Sequence, residues 1–187
     1  MMKSLSSENT SNQNIILIGM PTSGKSTAGV ILAKIMGLSF VDTDLLIQGR
    51  SGRKLHEIIS QDGLDAFLAL EEEVCLSLKE QGSVIATGGS VVYGQRAREH
   101  LKELGVVVYL DIDFDTLERR LHNVKQRGVV LREGQTIRDL YEERRMLYAK
   151  YADITVSEAG LDMEQTVDSI RKGVVIYQSR KEKCTGK

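Results

Sequence analysis

The feature that most restricts the fold of this chain is a glycine-rich loop that follows an apolar run. Residues 15–18 are IILI, and residues 19–26 read GMPTSGKS, which fits the pattern G-x-x-x-x-G-K-S. Such a loop joins a buried strand to a helix, and its backbone N–H groups wrap around phosphate oxygens at the helix N-terminus. The lysine reaches the β- and γ-phosphates, and the serine hydroxyl ligates Mg²⁺. The pattern therefore predicts a site for a nucleoside triphosphate with Mg²⁺.

We assign the phosphate contacts to this loop and to the first turn of the next helix. Lys25 is the predicted catalytic cation, and Ser26 is the predicted metal ligand. The alternative is a chance glycine turn between a strand and a helix, which would leave the Lys-Ser pair unexplained. The predicted nucleotide-binding residues of this segment are Gly19, Thr22, Ser23, Gly24, Lys25, Ser26 and Thr27.

Length and composition favour one domain that binds a small molecule. The 187 residues, 41% of them hydrophobic, suffice for a single core. The net charge of −1 gives no reason to expect nucleic acid or a membrane surface as a partner. The two cysteines lack metal-like or redox-like spacing, and residues 1–13 lack the apolar stretch of a signal peptide. We therefore expect a monomeric, cytoplasmic protein with a small-molecule substrate.

Short apolar runs alternate with longer helical patterns, which is typical of a parallel sheet covered by helices on both faces. The predicted strands lie near 14–18, 38–41, 83–86, 105–110 and 152–156. The predicted helices lie near 24–36, 44–49, 54–60, 64–80, 94–104, 113–122, 135–150 and 162–178. The fold class is therefore α/β, with three layers, a five-stranded parallel sheet flanked by helices, and a mobile lid.

Two carboxylates end the second predicted strand, where residues 40–44 read FVDTD. The carboxyl ends of parallel strands line the ligand crevice of an open sheet, beside the phosphate loop. We therefore predict that Asp42 supports Mg²⁺ and that Asp44 orients or deprotonates the acceptor hydroxyl. The alternative for Asp44 is that it only caps a helix that begins at Leu45.

The third predicted strand ends in the glycine pair Gly88-Gly89, and paired glycines allow a substrate to approach bare backbone. A tight turn between strand and helix is the alternative explanation. Further along, the segment 123–134 has two glycines and no clean periodicity. Arg127 in this segment is a candidate to close over the γ-phosphate and stabilise its negative charge during transfer.

Taken in order, these motifs resemble those of the shikimate kinases, a branch of the P-loop fold similar to nucleoside-monophosphate kinases. The resemblance rests on residues 19–27, Phe40-x-Asp42-x-Asp44, Gly88-Gly89, Arg120-x6-Arg127 and Arg144-x2-Leu147-Tyr148. It implies transfer of the γ-phosphate of ATP·Mg²⁺ to a hydroxyl of a small metabolite, most simply shikimate, which gives shikimate 3-phosphate.

The resemblance also implies boundaries and roles. From composition, a disordered tail is expected over 1–13 and a basic tail over 179–187, and the resemblance covers one P-loop kinase domain at 14–178. Within the domain, the substrate-binding helical region would span about 44–80 and the lid about 123–134. Asp44 would contact the acceptor hydroxyl, while Gly88, Gly89 and Arg144 would hold the acceptor. Arg127 would contact the transferring phosphate, and Arg120 would pack on the adenine.

One position departs from the family pattern. The family usually has Gly-Phe-Arg-x-x-Glu on its substrate-binding helix, where the arginine clamps the shikimate carboxylate. Here residues 66–71 read AFLALE, so Leu68 stands in place of the arginine while Glu71, its partner, remains. Loss of such a clamp costs on the order of two powers of ten in affinity, unless Arg144 or Arg53 substitutes.

Two alternatives therefore stay open beside shikimate phosphorylation. One is a shikimate-kinase-like paralogue that acts on another small alcohol, such as a hydroxy-amino acid, an amino alcohol or a polyol. The other is a non-catalytic regulator that binds nucleotide but lacks acceptor chemistry.

Overall fold

A five-stranded parallel sheet forms the centre of the molecule. The structure, a computed structural model, describes residues 13–122, 131–132 and 134–185. The strands are β1 (Asn14–Gly19), β2 (Ser39–Asp42), β3 (Ser83–Ala86), β4 (Gly105–Asp111) and β5 (Ile154–Ser157), and their spatial order is β2-β3-β1-β4-β5. All four neighbouring pairs are parallel. The predicted fold class is confirmed, with the phosphate loop following the central strand.

Eight α-helices cover the sheet within the described residues. They are α1 (Lys25–Met36), α2 (Thr43–Ser51), α3 (Leu55–Asp62), α4 (Leu64–Leu76), α5 (Gln95–Leu104), α6 (Phe114–His122), α7 (Ile137–Tyr151) and α8 (Met163–Thr185). A short 3-10 helix, Val91–Tyr93, connects β3 to α5. No helix within these ranges combines the length and the apolar character needed to cross a membrane.

Alternate residues of β1 enter two separate cores because successive strand side chains point to opposite faces. Ile16 and Ile18 pack in one core, on the face that carries α5 and α7. Ile15 and Leu17 pack in the other, against α1 and α8. Both faces of the strand are therefore buried, which explains why its sequence is a continuous apolar run.

The helix boundaries differ from prediction mainly at two ends. Helix α4 ends at Leu76, where the N–H groups of Ser77 and Leu78 close the last turn, whereas the sequence predicted a helix to residue 80. Helix α8 continues to Thr185, so residues 179–185, expected as a basic tail, are helical. Its last turns are rich in Arg, Lys and Glu, which are good helix formers.

Candidate active site

The carboxyl ends of the central strands open into a cavity of about 390 Å³. Its walls come from the phosphate loop, from α2, α3 and α4, from the turn after β3, and from α7. Among the predicted site residues, those that line it are Thr22, Gly24, Lys25, Ser26, Thr27, Asp42, Asp44, Glu71, Gly88, Gly89 and Arg144. The topology thus brings together most residues that the sequence nominated separately.

The phosphate loop carries hydrogen-bond partners for its own lysine. Lys25 Nζ donates to the carbonyl oxygens of Gly19 at 2.9 Å and Met20 at 2.8 Å. Burial lowers the pKa of this ammonium to about 8, and the negative charge of Asp44 works against that decrease. The lysine therefore remains mostly protonated near neutral pH, in the form that interacts with phosphate.

Two positions in the loop have backbone conformations that restrict the residue type. Gly19 has a φ of 148°, and a Cβ atom there would lie 2.7 Å from the carbonyl oxygen of Leu110. Thr22 has a φ of 66°, in the left-handed region that non-glycine residues rarely adopt. Its hydroxyl is buried and has no hydrogen-bond partner in the described residues. Because local strain of this kind gathers at ligand sites, it marks the loop as a binding element.

Ser26 and Asp42 meet at the mouth of the loop, where the Ser26 hydroxyl donates to Asp42 Oδ2 at 2.7 Å. The other oxygen of Asp42 accepts from the backbone N–H groups of Asp44 at 3.0 Å and Leu45 at 3.4 Å. Asp42 is therefore the N-cap of α2. The alternative role for Asp44 is wrong, because the helix already begins at Thr43 and Asp44 lies in its first turn.

A hydroxyl beside a carboxylate oxygen fits the chemistry of Mg²⁺. This ion prefers oxygen ligands and usually keeps several waters, so one or two protein groups together with phosphate oxygens suffice. Ser26 and Asp42 present such a pair next to the lysine of the loop.

Glycine is required at positions 88 and 89 because side chains lie close to their Cα atoms, and not because of the backbone conformation of the turn. Neither Gly88 nor Gly89 has a positive φ. A Cβ atom on Gly88 would lie 2.0 Å from Glu71 Oε1 and 2.9 Å from Asp44 Oδ1. One on Gly89 would lie 3.1 Å from Arg144 Nη1. The Gly88 N–H already donates to the Thr43 hydroxyl at 3.1 Å, so it is not a free donor for a substrate.

Arg144 is a buried cation in the wall of the cavity, with only 4% of its surface exposed. Its Nε donates to the Tyr93 hydroxyl at 3.2 Å, and its guanidinium lies 5.2 Å from the centre of the Tyr93 ring. No ion pair joins it to a carboxylate in the described part of the chain. A buried guanidinium without a carboxylate partner is a ready site for an anionic group of a ligand.

Glu71 is the second buried charge of the cavity and is 2% exposed. Burial raises its pKa from 4.5 to about 7, whereas a hydrogen bond with Ser90 and the positive charges of Arg144 and Lys25 act in the opposite direction. Its Oε1 atom has no hydrogen-bond partner among the described residues. The carboxyl group is therefore close to half protonated at neutral pH and available to a ligand hydroxyl.

Leu68 does not line the central cavity. It lines a neighbouring cavity of about 210 Å³ under the 3-10 helix, and Glu71 and Ser90 separate the two spaces because they line both. Arg53, considered as a substitute clamp, instead pairs with Asp62 at the protein surface. Arg144 is thus the one arginine among the described residues that lines the central cavity.

Arg120 approaches the phosphate loop from α6, on a different side. Its Nη1 atom donates to the Thr22 carbonyl oxygen at 3.0 Å and to Glu158 Oε2 at 3.1 Å. Glu158 was not predicted from the sequence, although it lies at the carboxyl end of β5 just as Asp42 lies at the carboxyl end of β2. Arg127 lies outside the described residues, as does most of the segment 123–134.

A strand–loop–helix with a buried lysine, a Ser–Asp pair and a facing pocket with its own carboxylates and arginine defines a P-loop phosphotransferase for small molecules. Comparisons with known proteins narrow this class. A family model for shikimate kinase matches residues 21–174. The shikimate kinase of Sulfurihydrogenibium sp. (strain YO3AOP1) is 34% identical over 159 residues, which cover 84% of this chain and 95% of that protein.

Solved structures agree. The shikimate kinase from Acinetobacter baumannii in complex with shikimate matches with a TM-score of 0.79 at 31% identity, covering 90% of this chain and 94% of that one. The shikimate kinase from Aquifex aeolicus vf5 matches with a TM-score of 0.73 at 34% identity, covering 94% of this chain and 100% of that one. The chain belongs to the shikimate kinase family. It is a small-molecule kinase, and the family uses ATP.

Proposed function

We propose that this protein transfers the γ-phosphate of ATP to a hydroxyl group of shikimate and thereby forms shikimate 3-phosphate. The observation that carries the proposal is that Lys25 of the phosphate loop lines the same cavity as Asp44 and Arg144. One wall suits the donor phosphates, and the other suits an acceptor that has both hydroxyl groups and a carboxylate.

The acceptor wall matches the functional groups of shikimate. Shikimate is a cyclic carboxylate with three hydroxyl groups, so it needs one cationic group and several hydrogen-bonding groups. Arg144 would hold the carboxylate, since its guanidinium is buried and has no carboxylate partner in the described residues. Glu71 and Asp44 would bind hydroxyl groups beside Gly88, where both carboxylates approach the backbone.

In the chemical step, the acceptor oxygen forms a bond to the γ-phosphorus while the bond between that phosphorus and the bridging oxygen of ADP breaks. Asp44 would orient the attacking hydroxyl and accept its proton. Lys25 would stabilise the charge that builds up on the phosphate oxygens, and Arg127 would add a second cation from the lid.

Ser26 and Asp42 would hold Mg²⁺, which neutralises phosphate charge when bound. Their hydroxyl and carboxylate oxygens already lie together at the loop. The proposal also includes the expectations that the protein is monomeric and cytoplasmic.

A second candidate acceptor is another small alcohol that lacks a strongly bound carboxylate. It is favoured by Glu71, whose Oε1 atom has no hydrogen-bond partner among the described residues and which shares the neighbouring cavity with the apolar Leu68. An amine or a hydroxyl group of the acceptor would donate a hydrogen bond to that oxygen, whereas a carboxylate of the acceptor would be repelled by Glu71.

The test is a measurement of ADP release by the wild-type protein with ATP and Mg²⁺ across a panel of hydroxylated acceptors. The panel contains shikimate, a hydroxy-amino acid, an amino alcohol and a polyol, and ³¹P NMR identifies the phosphorylated product. We expect shikimate to be the best acceptor. Turnover of another panel member without turnover of shikimate would instead establish the second candidate, and ATP binding without any turnover would indicate a regulator.

A further inference from the structure

The guanidinium group of Arg144 is held by a side chain that does not line the acceptor cavity. Arg144 Nε donates to the Tyr93 hydroxyl at 3.2 Å, and the guanidinium carbon lies 5.2 Å from the centre of the Tyr93 ring. Tyr93 lines the neighbouring cavity, together with Leu68, and is absent from the lining of the central cavity. Any influence of Tyr93 on the acceptor therefore passes through Arg144.

Tyr93 lies on a short segment whose backbone is well anchored. It is the last residue of the 3-10 helix, and the two residues before it, Val91 and Val92, are buried in the core. The Tyr93 N–H donates to the Ser90 carbonyl oxygen at 2.9 Å, and Arg98 Nη1 donates to the Val92 carbonyl oxygen at 2.6 Å. These contacts make the Tyr93 hydroxyl a fixed acceptor for the Arg144 side chain.

The hydrogen bond to Tyr93 restricts how Arg144 presents its other donors. A guanidinium group is planar and carries its N–H donors in a fixed fork, so a partner that fixes Nε also fixes the direction of the Nη donors. Nη1 lies beside the acceptor cavity, because a Cβ atom on Gly89, which lines that cavity, would be 3.1 Å from it. The Nε donor is thus used by the protein, and the Nη donors are left for a ligand.

Resting on the proposed function, we propose that Tyr93 is a positioning residue for acceptor binding, whose hydroxyl holds Arg144 Nε and thereby orients the Nη donors for the acceptor carboxylate. A side chain that is already ordered loses less conformational entropy when a ligand binds, so preorganisation raises affinity without adding a contact to the ligand. Tyr93 takes no part in the transfer of the phosphoryl group.

The experiment uses Tyr93→Phe, which keeps the aromatic ring beside the guanidinium and removes only the hydroxyl. Calorimetric titration gives the Kd for shikimate and, separately, for ATP, and steady-state kinetics give kcat and KM. We expect the Kd and KM for shikimate to increase about fivefold, with kcat and the Kd for ATP unchanged. Tyr177→Phe, which removes a hydroxyl from α8 on the opposite face of the sheet, is the matched control and should change none of these values.

Two further comparisons separate positioning of Arg144 from a general loosening of the site. The methyl ester of shikimate has no carboxylate charge, so it should bind the wild-type protein and Tyr93→Phe with equal affinity. Tyr93→Phe should also have no effect on shikimate affinity when it is added to Arg144→Met, because the group that it positions is then missing. A fivefold loss for the ester, or the same fivefold loss in the Arg144→Met background, would overturn the proposal.

The outcomes also distinguish this proposal from the function on which it rests. A wild-type protein that does not bind shikimate contradicts the proposed function, and the role of Tyr93 falls with it. If the wild type binds shikimate and Tyr93→Phe binds it equally well, only the positioning role is wrong. A decrease in kcat with an unchanged KM would overturn that role as well, since it would place Tyr93 in the chemical step.

Discussion

The phosphate loop and the acceptor pocket differ in how their buried charges are satisfied. In the loop, Lys25 donates to two backbone carbonyls and Ser26 donates to Asp42. In the pocket, Arg144 has no carboxylate partner and Glu71 has an unsatisfied oxygen, within the residues that the structure describes. The loop is therefore preorganised by the protein itself, whereas the pocket is completed by its substrate. Changes in the pocket should alter acceptor use and spare the binding of nucleotide.

The largest difference between the effect on phosphoryl transfer and the effect on nucleotide binding is expected for Asp44→Asn. The amide cannot accept the proton of the acceptor hydroxyl, so kcat should fall about a thousandfold. The Kd for ATP should stay within about twofold, because the phosphate contacts remain. Steady-state kinetics and nucleotide titration measure the two quantities. Asp65→Asn, an exposed acid in the first turn of α4, is the control, and turnover of Asp44→Asn close to the wild-type rate would remove Asp44 from the chemical step.

A second effect concerns the pH dependence of the free energy of unfolding, to which the buried Glu71 of the pocket contributes. The folded protein holds a proton on Glu71 up to about pH 7, whereas the unfolded chain releases it near 4.5. Between these values the folded state binds more protons than the unfolded state, so stability decreases as pH rises, by about 3 kcal/mol in total. Glu71→Gln removes this titration, and the variant should gain stability relative to the wild type between about pH 4.5 and about pH 8.

Chemical denaturation at both pH values measures the difference between the free energies of unfolding. Glu73→Gln, an exposed acid on the same helix, is the matched control. A difference between wild type and Glu71→Gln that is the same at both pH values would show that the burial of Glu71 does not disfavour its charge.

The smallest expected effect is that of Leu68→Arg. An arginine at this position would extend beside Glu71, which lines both cavities, and would place a second cation near the acceptor carboxylate. The KM for shikimate should decrease about tenfold, with the KM for ATP unchanged. Leu68→Met, which changes shape but not charge, is the control. An unchanged KM for shikimate would mean that Arg144 alone sets the affinity for the carboxylate.

The sheet and the phosphate loop were predictable because their signals are local. A continuous apolar run indicates a strand buried on both faces, and the pattern G-x-x-x-x-G-K-S specifies backbone conformation and chemistry together. The alternative in which Asp44 caps α2 was wrong, because residues 40–44 contain two aspartates that can both cap. Which of them does so depends on where the strand ends, and Asp42 reaches both the helix and Ser26.

The pocket was predicted less completely because it depends on contacts between distant segments. Leu68 lies at the edge of the helical stripe formed by Leu64, Phe67 and Glu71, which line the central cavity, and it lines the neighbouring cavity instead. That Arg144 has no carboxylate partner among the described residues cannot be inferred from the sequence, since α7 itself contains several acids. Glu158 was missed although the rule that located Asp42, the carboxyl end of a parallel strand, applies equally to β5.

The central claim is that the loop binds nucleotide independently while Arg144 holds the acceptor. The most direct measurement is calorimetric titration of shikimate and, separately, of ATP into the wild-type protein and Arg144→Met. We predict that the wild type binds both ligands and that the variant loses about a hundredfold in shikimate affinity, as expected for a buried charge-assisted contact, with ATP affinity unchanged. Equal shikimate affinity in both proteins, or a parallel loss for ATP, would contradict the claim.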